Sequence, residues 1–414
     1  MTARPTVRKI LGNARLVLPD RVLTGALRVE GDRIAGIEER ERDRQGTGEQ
    51  LGGAQAAGGR RSDEFGSGGE SLAREDLEGD FLLPGLVETH TDNVERHLLP
   101  RPSAPWPNPL AALLSHDAEL AAAGITTVHD SLRVGNNMGE QTPRGELFGT
   151  VADVIHRHGA ALRVDHRLHM RCELTDPALL ETLEPLVDDP AVTLLSLMDH
   201  TPGQRQWRDI GALRRLMGTH EGGEEAVERE IEARTSLGQR HVAANRRALL
   251  ARVRARVEAG TLTLASHDDT TIGHVEQAAA EGIGIAEFPC TLEAARAARE
   301  HGLGTLGGAP NLVRGGSHSG NVSVAELAGE GLLGGLSSDY VPASTLQAVF
   351  ALVEAHGWTL PAAASLASAA PADLVGLRDR GRIAPGLRAD LVRVRLIEGT
   401  PSVRAVYVAG ERVV

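Results

Sequence analysis

One lysine, Lys9, stands among 44 basic residues, and the rest are arginines. Beyond the N-terminal segment the chain therefore has no lysine to serve as Schiff base, general base or carboxylated metal bridge. Aromatics are also scarce, at 2% of 414 residues, so substrate recognition is expected to be ionic rather than stacked. Two cysteines, Cys172 and Cys290, cannot build a disulfide framework, which points to a reducing compartment, the cytoplasm. The N-terminus lacks the apolar run of a signal peptide. No apolar stretch reaches the ~18 residues of a membrane span. The net charge of −12 argues against a nucleic-acid surface, and an anionic ligand would require a local arginine cluster.

What is present is ordered along the chain. Both ends read as turns and half-buried strands: RKILGNARLVLP and GALRVEGDRIAGIEE at the start, RIAPGLRADLVRVRL and SVRAVYVAGERVV at the end. Between them, apolar strands alternate with Ala- and Leu-rich helical segments, as in parallel βα units. The strands are expected at 81–89, 125–130, 162–172, 192–199, 262–267, 283–288, 304–309 and 334–339. They predict an α/β fold, a (β/α)8 barrel over 81–370. Residues 1–80 and 371–414 would supply the two halves of a small β-sandwich. Residues 40–79, rich in Gly, Ser and charge, are expected to be a mobile insertion. Residues 204–258 are a polar helical insertion. It is either a solvated hairpin or a cap bringing Arg205, Trp207 and Arg208 to the barrel mouth.

Chemistry-bearing residues collect at the strand ends. The first barrel strand closes on LPGLVETHTDN. Residues i and i+2 of an extended segment share a side, so His90 and Asp92 can grip one ion. Later strands end in His129–Asp130, in His166, His169 and Glu173, in Asp199–His200, in His267–Asp268–Asp269 and in Asp339. One polar residue after an apolar strand is routine. Five or six strands ending this way at one barrel rim form a convergent metal-binding cluster. No HExxH-type helix motif competes with it. Four to six ligands suffice for one or two ions. Asp130, Asp199, Asp268 and Asp269 read as carboxylates that fix imidazole tautomers, and His129 as a packed neighbour. One of His166 and His169 orients a ligand or touches substrate. His116, His156, His158, His220, His301 and His356 fall on helices and read as ordinary surface or core residues.

A second group follows the seventh strand. APNLVRGGSHSGNVS carries Arg314, Gly315, Gly316, Ser317 and His318. Closely spaced glycines let backbone N–H groups converge on an anion, and arginine adds a bidentate fork. In (β/α)8 barrels this is a frequent phosphate position. Just after the first strand, proline-stiffened ERHLLPRPSAPWPN would hold Arg101 over the mouth.

A strand ending PGLVETHTD, preceded by half a sandwich and closed by GRIAPGLRADLVRV, resembles the amidohydrolase superfamily. LPGLVETHTDNVERHLLPRP, AAGITTVHDSL, VDHRLHMRCEL, LLSLMDHTPGQRQ, LASHDDTT, PNLVRGGSHSGNVS and LSSDYVPAS span residues 83–345. They resemble, more narrowly, the diphosphatase family of the carbon–phosphorus lyase pathway. The resemblance implies metal-dependent hydrolysis of α-D-ribose 1-methylphosphonate 5-triphosphate to the 5-phosphate and pyrophosphate. It implies His90, Asp92, His200, His267 and Asp339 as ligands of a divalent metal (Zn, Mn or Fe), with Asp339 also catalytic as acceptor of the water's proton. The sequence departs in two places: Asp92 replaces the second histidine of the usual HxH, and no lysine can bridge two ions. Glu173 is the candidate bridging carboxylate, so the count stands at one ion, or two bridged by Glu173. Arg101, His169, Arg314, Gly315, Gly316, Ser317 and His318 are the expected contacts to an anionic sugar triphosphate or phosphonate. No nucleic-acid or membrane partner is expected, and self-association into a homo-oligomer stays open. Two other functions stand beside this one. A cyclic amidase or deaminase could use the same metal site, but the Arg314 loop favours phosphate. A non-catalytic barrel subunit would have no need of the strand-end ligands.

Overall fold

A computed structural model of the chain describes residues 8–40, 72–101, 104–136, 144–218, 223–317 and 320–414. Strands β1 (Arg8–Val17), β2 (Val22–Glu30) and β3 (Arg33–Glu39) form an antiparallel ribbon. On the other edge of β1, β4 (Leu72–Asp76) and β5 (Phe81–Pro84) run parallel to it. The barrel strands follow: β6 (Leu86–Thr91), β7 (Ile125–Val134), β8 (Asp165–Glu173), β9 (Val192–Met198), β10 (Thr263–His267), β11 (Ile285–Glu287), β12 (Gly304–Gly308) and β13 (Gly335–Ser337). They lie side by side in sequence order, every pair parallel. The chain then returns to the first sheet as β14 (Leu391–Ile397), β15 (Thr400–Val408) and β16 (Glu411–Arg412), with β14 antiparallel to β5.

Alternation along the strands decides what faces the axis. On β8, Leu168, Met170 and Cys172 pack in the apolar layer against the helices. His169, Arg171 and Glu173 hold the opposite parity and face inward. Leu194, Ala265, Ile285 and Leu306 form a small separate cluster with Val375. The first sheet has its own core, including Leu11, Leu16, Leu27, Ile34, Leu391 and Tyr407.

The barrel closes where β13 meets β6. Asp339 N donates to His90 O at 3.1 Å, and Asp92 N to Asp339 O at 3.3 Å. Beneath this seam lies the buried Glu88 carboxylate. It accepts from His90 N (2.8 Å), Ser337 Oγ (2.8 Å) and Ser338 N (2.7 Å), tying the two strands together.

The structure differs from the sequence expectations in three places. The expected strand 81–89 is two strands, one in each sheet, broken at Gly85. A Cβ at Gly85 would lie 2.2 Å from Thr126 Oγ1, so only glycine lets the chain pass between the sheets here. Within the expected mobile insertion 40–79, residues 72–76 are a strand paired to β1, because LARED finds an open ladder edge. Residues 41–71 of that expectation lie outside the described residues. The 204–258 insertion is a short turn Arg205–Trp207, a helix Ile210–Met217 and a 36-residue helix Gly223–Glu258. The last half of that helix is anchored in the barrel shell through Leu249 and Val253. Its first half shares a satellite cluster with Trp207, Leu213 and Met217.

Gly85→Ala is expected to destabilise the protein by ~1–3 kcal/mol, the usual cost of overpacking. Urea unfolding should show this, with part of the loss recovered when Thr126→Ala is added.

Candidate metal centre and active site

The strand ends surround a cavity of about 590 Å³ at the C-terminal mouth of the barrel. Its lining includes His90, Asp92, Arg171, His200, His267, Asp268 and Asp339, together with Asn311, Arg314, Gly316, Ser317, Asn321 and Tyr340. Five of the six expected ligands, His90, Asp92, His200, His267 and Asp339, thus share one cavity wall. Asp268 and Asp339, each just past a barrel strand, sit in the left-handed region at φ 56° and 53°. Strain of this kind costs ~1–3 kcal/mol per residue and gathers at functional sites.

The imidazoles are set by buried carboxylates. His200 Nδ1 donates to Glu173 Oε2 at 2.5 Å. His90 Nδ1 donates to Glu287 Oε1 and His267 Nδ1 to Glu287 Oε2, both at 3.2 Å. Glu173 and Glu287 are each 0% exposed. Every one of these three rings has its Nδ1 engaged, which leaves Nε2 to the cavity, the arrangement that prepares imidazole for a metal. His200, His267 and Asp268 have ligand atoms within 4.8 Å of one another. Burial also keeps His90 well below its ordinary pKa and brings His267 down to about 4, so both rings are neutral and their lone pairs available. Burial, then the charge of Asp92, raises Asp339 to about 7, and burial raises Asp268 to about 6. Desolvated carboxyls crowded together in this way call for a cation between them. The donor set fits a divalent transition metal on these grounds.

Several expected residues take other places. Glu173 is not among the cavity-lining residues: its Oε2 accepts from His200 Nδ1 and its Oε1 from Thr175 Oγ1 at 2.7 Å, so it orients His200. His169 is fully buried one layer deeper on β8, hydrogen-bonded to Thr89 O and Ser196 Oγ at 3.0 Å, and does not reach substrate space. Arg101 is exposed and is not among the residues that line the cavity. Arg96 from that helix instead donates to Tyr340 O at 3.0 Å. In the glycine loop, Arg314, Gly316 and Ser317 line the cavity, but Gly315 does not. Gly315 N and Gly316 N donate to Leu312 O and Asn311 O, closing the helix Ala309–Arg314, and so do not converge on an anion. His318 lies outside the described residues. From the insertion, Gln206 lines the cavity, whereas Arg205 is tied to Asp269 at 2.7 Å and Trp207 packs away.

His116, which reads from its helix as ordinary, belongs to a buried network. Its Nε2 donates to Asp130 Oδ1 at 2.7 Å, and His166 Nδ1 donates to Asp130 Oδ2 at 2.6 Å. Burial alone would depress His166. The charges and hydrogen bonds of Asp130 and Asp117 outweigh it and push His166 up to about 9. Asp130 is held well below the ordinary carboxylate range by the same two histidines, against the opposing effect of burial.

No family model matches the sequence. The chain is 39% identical over 409 residues, 98% of its length and 100% of the relative's, to α-D-ribose 1-methylphosphonate 5-triphosphate diphosphatase of Escherichia coli strain K12. The chain belongs to this diphosphatase family. Its fold is that of the amidohydrolase superfamily. It superposes on N-acetylglucosamine-6-phosphate deacetylase from Pasteurella multocida with TM-score 0.60, at 14% identity over 98% of this chain and 99% of the other. Dihydropyrimidinase from Brevibacillus agri gives 0.57, at 13% identity over 99% and 95%.

In this diphosphatase-family chain, two site residues are not legible as such in the sequence. Glu287 ends a strand of three residues, IAE, too short for its parity to be read. Arg171 sits inside the polar alternation of β8, between a histidine and a glutamate that look more like ligands.

Glu287→Gln keeps the shape but weakens the bracing of two rings, and is expected to weaken zinc binding by the purified apoprotein ~10–100-fold in a competition titration. The His166–Asp130 pair has its own pH signature. With the folded pKa of His166 raised, its stabilisation is fully present below ~6.5 and is lost as pH rises through about 9. Unfolding free energy should therefore fall between pH ~6.5 and ~9.5, and His166→Asn should flatten that slope.

Proposed function

We propose that this chain hydrolyses α-D-ribose 1-methylphosphonate 5-triphosphate to the 5-phosphate and pyrophosphate, in phosphonate catabolism in the cytoplasm. The observation that carries the reading is full-length identity of 39% to the diphosphatase. The cavity supports it with a metal-type donor set beside polar side chains suited to a polyphosphate. We assign catalysis to the barrel, from β6 to residue 370, and a framing role to the sheet of β1–β5 and β14–β16.

His90, Asp92, His200, His267 and Asp339 would hold one divalent ion, Zn, Mn or Fe, with Asp268 beside them. Such an ion, when bound, lowers the pKa of water toward ~7 and withdraws charge from phosphoryl oxygens. Asp339, on the cavity wall, takes the proton of the attacking water. Arg314 with Ser317 and Asn321 holds the polyphosphate by charge-assisted hydrogen bonds. Among the described residues, no helix is long and apolar enough to cross a membrane.

Phosphorus NMR of the reaction should show pyrophosphate, not orthophosphate, as the released product. Asp339→Asn is expected to abolish turnover while the fold persists by circular dichroism. Arg314→Ala should raise KM about tenfold, the loss of one charge-assisted contact, with a smaller effect on kcat.

A further inference from the structure

Among the cleft-lining residues, Arg171 is the cation on the same side as the candidate metal residues. It stands on β8 two residues past His169 and two before Glu173, in the inward row, and lines the cleft with His90, His200, His267, Asp268 and Asp339. Its side chain is 16% exposed. Arginines that serve the framework of this protein are tightly bonded. Arg205 NH1 donates to Asp269 Oδ1 at 2.7 Å and to His267 O at 2.8 Å. Arg246 meets Glu281 at 2.6 Å, and Arg393 Nε meets Asp80 Oδ2 at 2.6 Å. Arg171 has no such carboxylate bond: its neighbour, Asp92 Oδ2, is 3.8 Å from NH1, beyond a hydrogen bond, and its buried Nε, like Arg205 Nε, has no hydrogen-bond partner among the described residues. A desolvated guanidinium with an open fork is costly unless something anionic completes it.

We propose that Arg171 is a catalytic residue that grips the non-bridging oxygens of the phosphoryl group under attack. This rests on the hydrolase reading above. Arg171, 3.8 Å from Asp92 Oδ2, lines the cleft with Asp339, and so does Arg314, whose NH1 donates to Tyr340 Oη at 3.4 Å. A triphosphate with its α-phosphorus at the Asp339 side then leaves its β- and γ-phosphates to Arg314. In the step, the water oxygen bonds to the α-phosphorus and its proton passes to the Asp339 carboxylate. The bond from the α-phosphorus to the α,β-bridging oxygen breaks, and its electron pair leaves with pyrophosphate. Charge on the α-phosphoryl oxygens grows along this path, and a planar two-pronged donor in a desolvated wall stabilises it at the moment it forms.

The test compares the metal-loaded wild type with Arg171→Ala and Arg171→Lys on the ribosyl triphosphate, with metal content measured by elemental analysis. The Ala variant is expected to keep its metal, lose ~10²–10³-fold in kcat as removal of a charge-stabilising donor does, and recover in part when guanidinium is added. The Lys variant, which keeps charge but loses the fork, is expected to fall at least about tenfold. If the wild type itself releases no pyrophosphate, the hydrolase reading fails and the assignment falls with it. If the wild type turns over while either variant keeps wild-type kcat, the Arg171 assignment alone is overturned. Loss of metal from a folded variant also overturns it, since Arg171 would then be a brace for Asp92. Should the Ala variant not fold, the Lys variant decides by the same criteria.

Discussion

The seam between the first and last barrel strands is the constraint on which the site depends. Asp339 and the His90–Asp92 pair are 247–249 residues apart in sequence, yet they face one cavity because β13 docks on β6. Beside the backbone bonds of Asp339 with His90 and Asp92, the docking is held by a buried carboxylate, Glu88, which takes three hydrogen bonds from the two strands. Satisfying a buried acid so fully costs less than leaving it bare, and fixes the register of the two strands at the same time. A slip of one residue would turn His90 out of the cavity.

The next layer is electrostatic. Glu173 and Glu287 are spent on three imidazole Nδ1 atoms, which sets ring orientation and turns the other nitrogen to the cavity. Burial keeps His90 and His267 neutral and makes Asp268 and Asp339 hard to ionise. The site is thus poised for a cation, which would settle the carboxylates and leave the arginines to meet the anion. An acidic chain can bind a polyanion in this way, because the attraction is local while the net charge of −12 is spread over the whole surface.

Much of this is legible in the sequence, and the reason is parity. An apolar run followed by His or Asp announces both a buried strand and a polar tip, so the pattern marks a set of strand-end candidates, and the family resemblance picks His90, Asp92, His200, His267 and Asp339 from it. Roles that depend on reach are not legible. Glu173 lies at a strand end like a ligand, but its neighbour His200 claims its oxygen. Glu287 follows two apolar residues of a three-residue strand, too little pattern to read. His116 shows helical spacing and hides its partner Asp130, fourteen residues away on a strand. Proline around Arg101 suggests rigidity, but rigidity says nothing about direction. The glycines at 315 and 316 signal a special backbone, and the special backbone is a helix end. The missing lysine gives a firmer inference, since an absent side chain cannot be repositioned by folding.

The central claim is that water attacks the α-phosphorus at the cavity of His90, His200, His267 and Asp339. Turnover of the ribosyl triphosphate in ¹⁸O-labelled water, followed by mass spectrometry of both products, tests it most directly. The account requires the label in the sugar 5-phosphate and none in pyrophosphate. Label in pyrophosphate, with the sugar phosphate unlabelled, would contradict it.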